Sequence, residues 1–275
     1  ALVPSSLPRL FSHRMAAPLL LLSTLLVAAS AQQYGYAVDI SQGGSLSAFN
    51  CLRSNHYSSV FIRVYKPDGN GGVDTAGILN VGPAFNSGLG VEVYMTPNPL
   101  SSKSANTQVD ELVKAMRSGG VQAKSVWVLV TSPINWKQVQ ATNLNFIKTV
   151  ISRFSSYGIN IGIYTSRYDW QQITGNAGYL GSNIRLWYWN VYGLGPDGES
   201  PANFLDFRPF GQWSIAAVKQ FGQYESLCGF TVNRNIYPLS AATHEMLTSN
   251  KISSDKGEID EPIGTGVKIN NTTGF

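Results

Sequence analysis

The sequence predicts an α/β fold, an irregular (β/α) barrel of the TIM-like type with about eight strands and fewer helices. Three observations carry this. Short apolar runs alternate with amphipathic stretches between residues 36 and 165, a pattern that calls for parallel strands joined by crossovers. Beyond Thr165 three more apolar runs follow without convincing helices between them. No strand leads into a glycine-rich phosphate loop, because Gly69-Asn70-Gly71-Gly72 precedes no good helix; this counts against the open, doubly wound alternative.

In order, strands are predicted at 36–40, 60–65, 91–96, 125–131 and 160–165, with helices at 45–55, 75–87, 105–118 and 143–157 between them. The third helix carries Val109, Leu112, Val113 and Met116 at helical spacing and stops at Gly119-Gly120. The fourth carries Leu144, Ile147, Val150, Ile151 and Phe154 and stops at Gly158. The last three strands, 185–190, 218–221 and 232–236, are separated by loops rich in Gly and Pro.

Three segments divide the chain: a leader with signal peptide at 1–31, a barrel domain at 32–240, and a C-terminal extension at 241–275. Met15 opens the signal, a short Leu-rich stretch follows, and Ala29-Ser30-Ala31 sets cleavage before Gln32. That apolar stretch is too short to span a bilayer, so no membrane span is expected. Residues 251–275 mix small, charged and amide side chains without periodicity and are expected to lack order. They hold overlapping glycosylation sequons at Asn270 and Asn271.

Of the 275 residues 13% are charged, about half the usual quarter, so the surface is largely neutral and polar, as is common outside the cell. The formal charge of +4 is no nucleic-acid footprint. Cys51 and Cys228 are expected to pair in an oxidising compartment. With His56 and His244 they offer no metal-ligand spacing, and no cofactor is expected. His56 falls in a helix-to-strand turn and His244 in a late amphipathic piece, which leaves little support for Ser/His/Asp catalysis. A secreted monomer is the expectation.

In a parallel barrel the chemistry gathers at the carboxyl ends of the strands. Asp39 stands near the end of the first strand, where a charge among apolar residues must be hydrogen bonded or working. The other strand ends are aromatic or amide: Tyr65, Tyr94, Tyr164, Trp187, Trp189 and Gln220. Flat rings beside amides and hydroxyls suit sugars, although alternation through Trp187-Tyr188-Trp189 assigns part of this set to the barrel interior.

Taken together, Tyr36-Ala37-Val38-Asp39-Ile40-Ser41, Phe61-Ile62-Arg63, Gly162-Ile163-Tyr164-Thr165-Ser166, Leu186-Trp187-Tyr188-Trp189 and Val218-Lys219-Gln220-Phe221 resemble the glycoside hydrolase family 25 lysozymes. Val93-Tyr94-Met95-Thr96-Pro97, Val130-Thr131-Ser132-Pro133-Ile134-Asn135-Trp136 and Tyr168-Asp169-Trp170 resemble its nematode and protist branch. The resemblance implies an irregular barrel and cleavage of the β-1,4 bond after N-acetylmuramic acid in bacterial peptidoglycan. Asp39 matches the first acidic position. Two departures from the family pattern stand out: the fourth strand reads Val128-Leu129-Val130-Thr131 where the family's bacterial members carry Asp-x-Glu, and the last strand offers Asn233 and Asn235 where an Asp is usual.

Glycoside hydrolysis needs an acid and assistance from the opposite side of the ring. Glu225 in the loop after the seventh strand, Asp169 after the fifth and Glu92 in the third are the remaining carboxylates for the mouth; Asp197 and Glu199 are expected to be solvated. The candidate catalytic set is therefore Asp39, Glu225, Asn233 and Asn235, with Tyr94, Tyr164, Trp187, Trp189 and Gln220 as substrate-binding residues. Two readings stand open: a secreted muramidase of defence or bacterial digestion, in extracellular fluid, gut lumen or a lysosome-like granule, and a catalytically lapsed glycan-binding or signalling protein on the same barrel.

Overall fold

The computed structural model describes residues 33–239 and 262–269. The leader at 1–31, most of the extension at 241–275, His244 and both sequons lie outside the described residues. The predicted alternation is realised in β1 (Tyr34–Ile40), α1 (Leu46–Ser54), β2 (Ser59–Lys66), β3 (Gly72–Val73), α2 (Thr75–Asn86), β4 (Gly90–Met95), α3 (Ala105–Ser118), β5 (Val121–Ala123), β6 (Ser125–Leu129), α4 (Gln140–Ser156), β7 (Asn160–Thr165) and α5 (Arg167–Thr174). There follow β8 (Arg185–Trp189), β9 (Val218–Leu227), β10 (Phe230–Pro238) and β11 (Val267–Ile269). The sheet runs β1-β10-β9-β8-β7-β6-β4-β2 and closes through β1–β2 pairing, an eight-strand mixed barrel.

Local chemistry starts the helices. Ser45, Asp74, Ser104 and Ser166 each accept a hydrogen bond from a first-turn backbone N–H of α1, α2, α3 and α5 respectively, satisfying donors that a helix end leaves open. Helix α5 is a correction to the expectation of no helix beyond Thr165. Only eight residues long, it buries Trp170 and Ile173, too few turns to show helical periodicity.

Two further corrections bear on function. The eighth strand is not parallel: β10 pairs antiparallel with both β1 and β9. Cys228 and Gly229 form the two-residue connection between β9 and β10, with φ of 54° and 81°, the paired positive φ of a hairpin turn that suits twisted strands. The C-terminal stretch is partly ordered: β11 pairs with β5, Ile263 and Val267 are buried, and the segment crosses the amino-terminal end of the barrel.

The barrel interior is filled with aromatic rings. Ala37, Phe61, Tyr94, Trp127, Tyr164, Trp187, Val218 and Tyr237 form one buried cluster. Trp187 sits at its centre, with ring centroids 4.5 Å from Phe61 and 4.4 Å from Tyr164. Gly162 makes room for one of them, because a Cβ there would come 2.1 Å from the Trp127 ring. The aliphatic core lies outside the barrel wall, between strands and helices.

Candidate active site

Asp39 is the centre of the carboxyl-end mouth, and three neighbouring strands put its partners in place. On β1 and β10 Asp39 lies directly opposite Asn233. Asn235, two residues on and so on the same face, lies opposite Gln220 of β9. Each of these amides donates to the carboxylate: Gln220 Nε2 at 2.8 Å and Asn235 Nδ2 at 2.9 Å to Oδ1, and Asn233 Nδ2 at 2.7 Å to Oδ2.

The orientation of every amide is set by a donor on its oxygen side. The Trp187 indole donates to Asn235 Oδ1, the Tyr224 backbone N–H to Asn233 Oδ1, and the Tyr164 hydroxyl to Gln220 Oε1. An indole and a backbone N–H only donate, so the amide nitrogens are left to face Asp39. The site is therefore arranged to hold an acceptor. Burial opposes this: with Asp39 only 6% exposed, desolvation outweighs the three hydrogen bonds and lifts its pKa from 3.8 to about 6.

Gln223 and Tyr224 join the site because of irregular pairing that sequence periodicity does not show. Register shifts in β9–β10 flank Arg234, and Tyr224 takes a φ of 57°, so strand parity is broken beside the mouth. Gln223 Nε2 consequently reaches Gln220 Oε1.

The same shifts correct the placement of Glu225. It lies within β9, opposite Val232 and away from Asp39, and forms a cluster with the half-buried Glu199 and Arg234. Its pKa rises to about 7 through burial and the Glu199 carboxylate beside it. Glu199, expected in solvent, is thus paired with Arg234. Glu92 is corrected as well. It faces the amino end of the barrel, where Ser125 Oγ and Trp127 Nε1 donate to one oxygen and the Gly264 and Gly266 backbone N–H groups to the other.

Of the expected binding residues, Tyr164, Trp187 and Gln220 belong to the Asp39 network. Tyr94 and Trp187 are packed beneath the carboxylate at 5% and 1% exposure, Tyr94 donating to the Ile40 carbonyl. Trp189 stands half-buried at the rim and donates to Asp169 Oδ2 at 3.0 Å. The carboxylate of Asp169 is raised in pKa by burial. Leu129, at the end of β6, packs on the inner aromatic cluster. Among the described residues no group of three or more His, Cys, Asp or Glu could hold a metal.

The family profile described as Lysozyme-like protein 1 matches residues 30–221. Lysozyme-like protein 1 of Caenorhabditis elegans is 47% identical over 232 residues, covering 82% of this chain and 78% of that one. Probable GH family 25 lysozyme 2 of Dictyostelium discoideum is 34% identical over 203 residues, covering 73% and 90%. Among solved structures, the family GH25 lysozyme of Aspergillus fumigatus superposes with a TM-score of 0.61 at 16% identity, covering 79% of this chain and 100% of that one. The lysozyme of Streptomyces coelicolor gives 0.59 at 18%, covering 80% and 99%. These last two likenesses concern the fold. The family profile and the two close sequence matches agree, and the chain belongs to the lysozyme-like protein family of the glycoside hydrolase family 25 type.

Proposed function

We propose that the chain is a lysozyme-like hydrolase of bacterial peptidoglycan, acting on the β-1,4 bond between N-acetylmuramic acid and N-acetylglucosamine, with Asp39 as the proton donor. The observation that carries this is a carboxyl group at the barrel mouth with a pKa of about 6, high enough to be protonated in part at mildly acid pH. Protonation occurs on the leaving glycosidic oxygen as the bond to the anomeric carbon breaks. Assistance from the other face comes from the acetamido oxygen of the substrate or from water, since the side chains bonded to Asp39 are all amides.

That set of amides favours slow turnover. Ordinary two-carboxylate glycosidases place their acids about 5 to 9.5 Å apart, and here Asn233 occupies the place opposite Asp39. The same observation supports the second reading, a glycan-binding protein of host defence whose hydrolysis has lapsed. Secretion as a monomer, to extracellular fluid, gut lumen or lysosome-like granule, completes the proposal; the Leu-rich leader and the Cys51–Cys228 disulfide support export.

Clearing of a peptidoglycan suspension by the purified chain separates the readings. The hydrolase reading expects slow clearing, fastest near pH 5 to 6 and abolished in Asp39→Asn. Clearing that is absent in the wild type, with retained glycan binding, selects the second reading.

A further inference from the structure

Asp169 is a buried carboxylate that the chemistry at Asp39 does not use. Through Ser166 it has one local task. Ser166 Oγ accepts from the Asp169 N–H at 3.0 Å and donates its own hydroxyl hydrogen to Asp169 Oδ2 at 3.1 Å, a side-chain cap at the start of α5. Such a cap needs neither burial nor partners from elsewhere. Asp169 nevertheless is 3% exposed and collects donors from three successive carboxyl-end connections. Ser166 follows β7, the Ser132 backbone N–H lies beyond β6, and the Trp189 indole ends β8. Ser132 takes a φ of 57°, a left-handed conformation uncommon for a residue with a Cβ, beside that carboxylate.

The two tryptophans of β8 differ in what they can offer. Both turn inward, but Trp187 is enclosed by Phe61, Tyr94, Trp127 and Tyr164, whereas Trp189 keeps part of its surface at the rim. An indole suits a pyranose by its face, and its N–H is the one polar handle by which the protein can hold the ring plane. That handle is bound to Asp169.

We propose that Asp169 is a positioning residue: it holds the Trp189 indole as a platform on which one N-acetylhexosamine ring of the glycan stacks beside Asp39. This rests on the glycan reading above and adds to it the residue that fixes the platform. Preorganising one aromatic face removes the cost of ordering it on binding.

The test uses the full chain, labelled at indole nitrogen, with a soluble tetrasaccharide of alternating N-acetylglucosamine and N-acetylmuramic acid. Trp189→Phe assigns the indole cross-peak. In the wild type that peak follows a single carboxyl titration, and Asp169→Asn, which keeps an acceptor oxygen, abolishes the titration while retaining most binding. Asp169→Ala weakens binding about tenfold. Because Asp169→Ala also removes the acceptor of the Ser166 hydroxyl at the start of α5, Trp189→Phe serves as the independent variant: it keeps that bond and loses the indole N–H. The double variant is expected to bind no worse than Asp169→Ala alone, the signature of one shared interaction.

Additive losses, or an indole peak indifferent to Asp169→Asn, overturn the proposal. Wild-type binding left intact in Asp169→Ala overturns it too, and leaves the glycan reading standing. A wild-type chain that binds no tetrasaccharide overturns both.

Discussion

Asp39 shows how a single residue couples stability to function. Its carboxyl has a pKa of about 6 in the fold, against 3.8 for the free side chain, so the folded state binds the proton more tightly than the unfolded one. Stability conferred in acid is therefore lost as pH rises from about 4 to about 6 and stays lost above it. The shift corresponds to about 3 kcal/mol. Asp39→Asn should flatten that dependence, and thermal melting from pH 3 to 8 reads it directly: the wild type should fall relative to the variant through that window. Glu225 follows the same sign at higher pH, its carboxyl lifted to about 7 by burial and by Glu199. Glu225→Gln is accordingly expected to raise the melting temperature at pH 8 and leave it nearly unchanged at pH 5.

At the scale of elements, β9 and β10 form the hairpin that carries Gln220, Gln223, Asn233 and Asn235 to Asp39, and its irregular register decides which side chains face the mouth. The C-terminal segment ending in β11 is the counterpart at the opposite end of the barrel. Gly264 and Gly266 supply two of the four hydrogen bonds to the fully buried Glu92. A Cβ at Gly266 would come 2.3 Å from Glu92 Oε2, so this approach needs glycine. Truncation after residue 261 removes both donors and uncovers Glu92. At about 1 to 3 kcal/mol for each unsatisfied buried group, the urea midpoint should drop clearly; an unchanged midpoint would show that the segment is not part of the stable fold.

For the whole molecule, closure of the barrel is the event that assembles the site, because β1 carries Asp39 and meets β10 only when the sheet closes on itself. The Cys51–Cys228 disulfide ties α1 to the β9–β10 turn beside that seam, with Cα atoms 5.7 Å apart and 177 residues between the cysteines. A loop of that length gives about 5 kcal/mol in the chain-entropy picture. Replacing both cysteines by Ala should therefore lower the unfolding free energy by several kcal/mol in denaturant titration. The Asp39 titration should persist in whatever fraction remains folded, since neither sulfur touches the carboxylate network.

The sequence by itself determined the alternation of strands and helices, the opposite facing of Tyr188 from Trp187 and Trp189, the pairing of the cysteines and the place of Asp39 at a strand end. These follow from local periodicity and from side-chain chemistry that does not depend on distant neighbours. Short α5 escaped it because two buried apolar side chains show no period. The antiparallel last strand escaped it because an unremarkable Cys228-Gly229 pair makes the turn, and reversal of strand direction leaves the apolar pattern of 232–236 unchanged. The fate of the carboxylates was beyond sequence: Glu92, Asp169 and Glu225 all stood as carboxylates for the mouth, and Glu225 was taken as the catalytic candidate among them. Only tertiary structure sent one to the barrel base, one to the rim and one to an outer ion cluster, because sheet closure and broken register, both non-local, decide where a side chain ends.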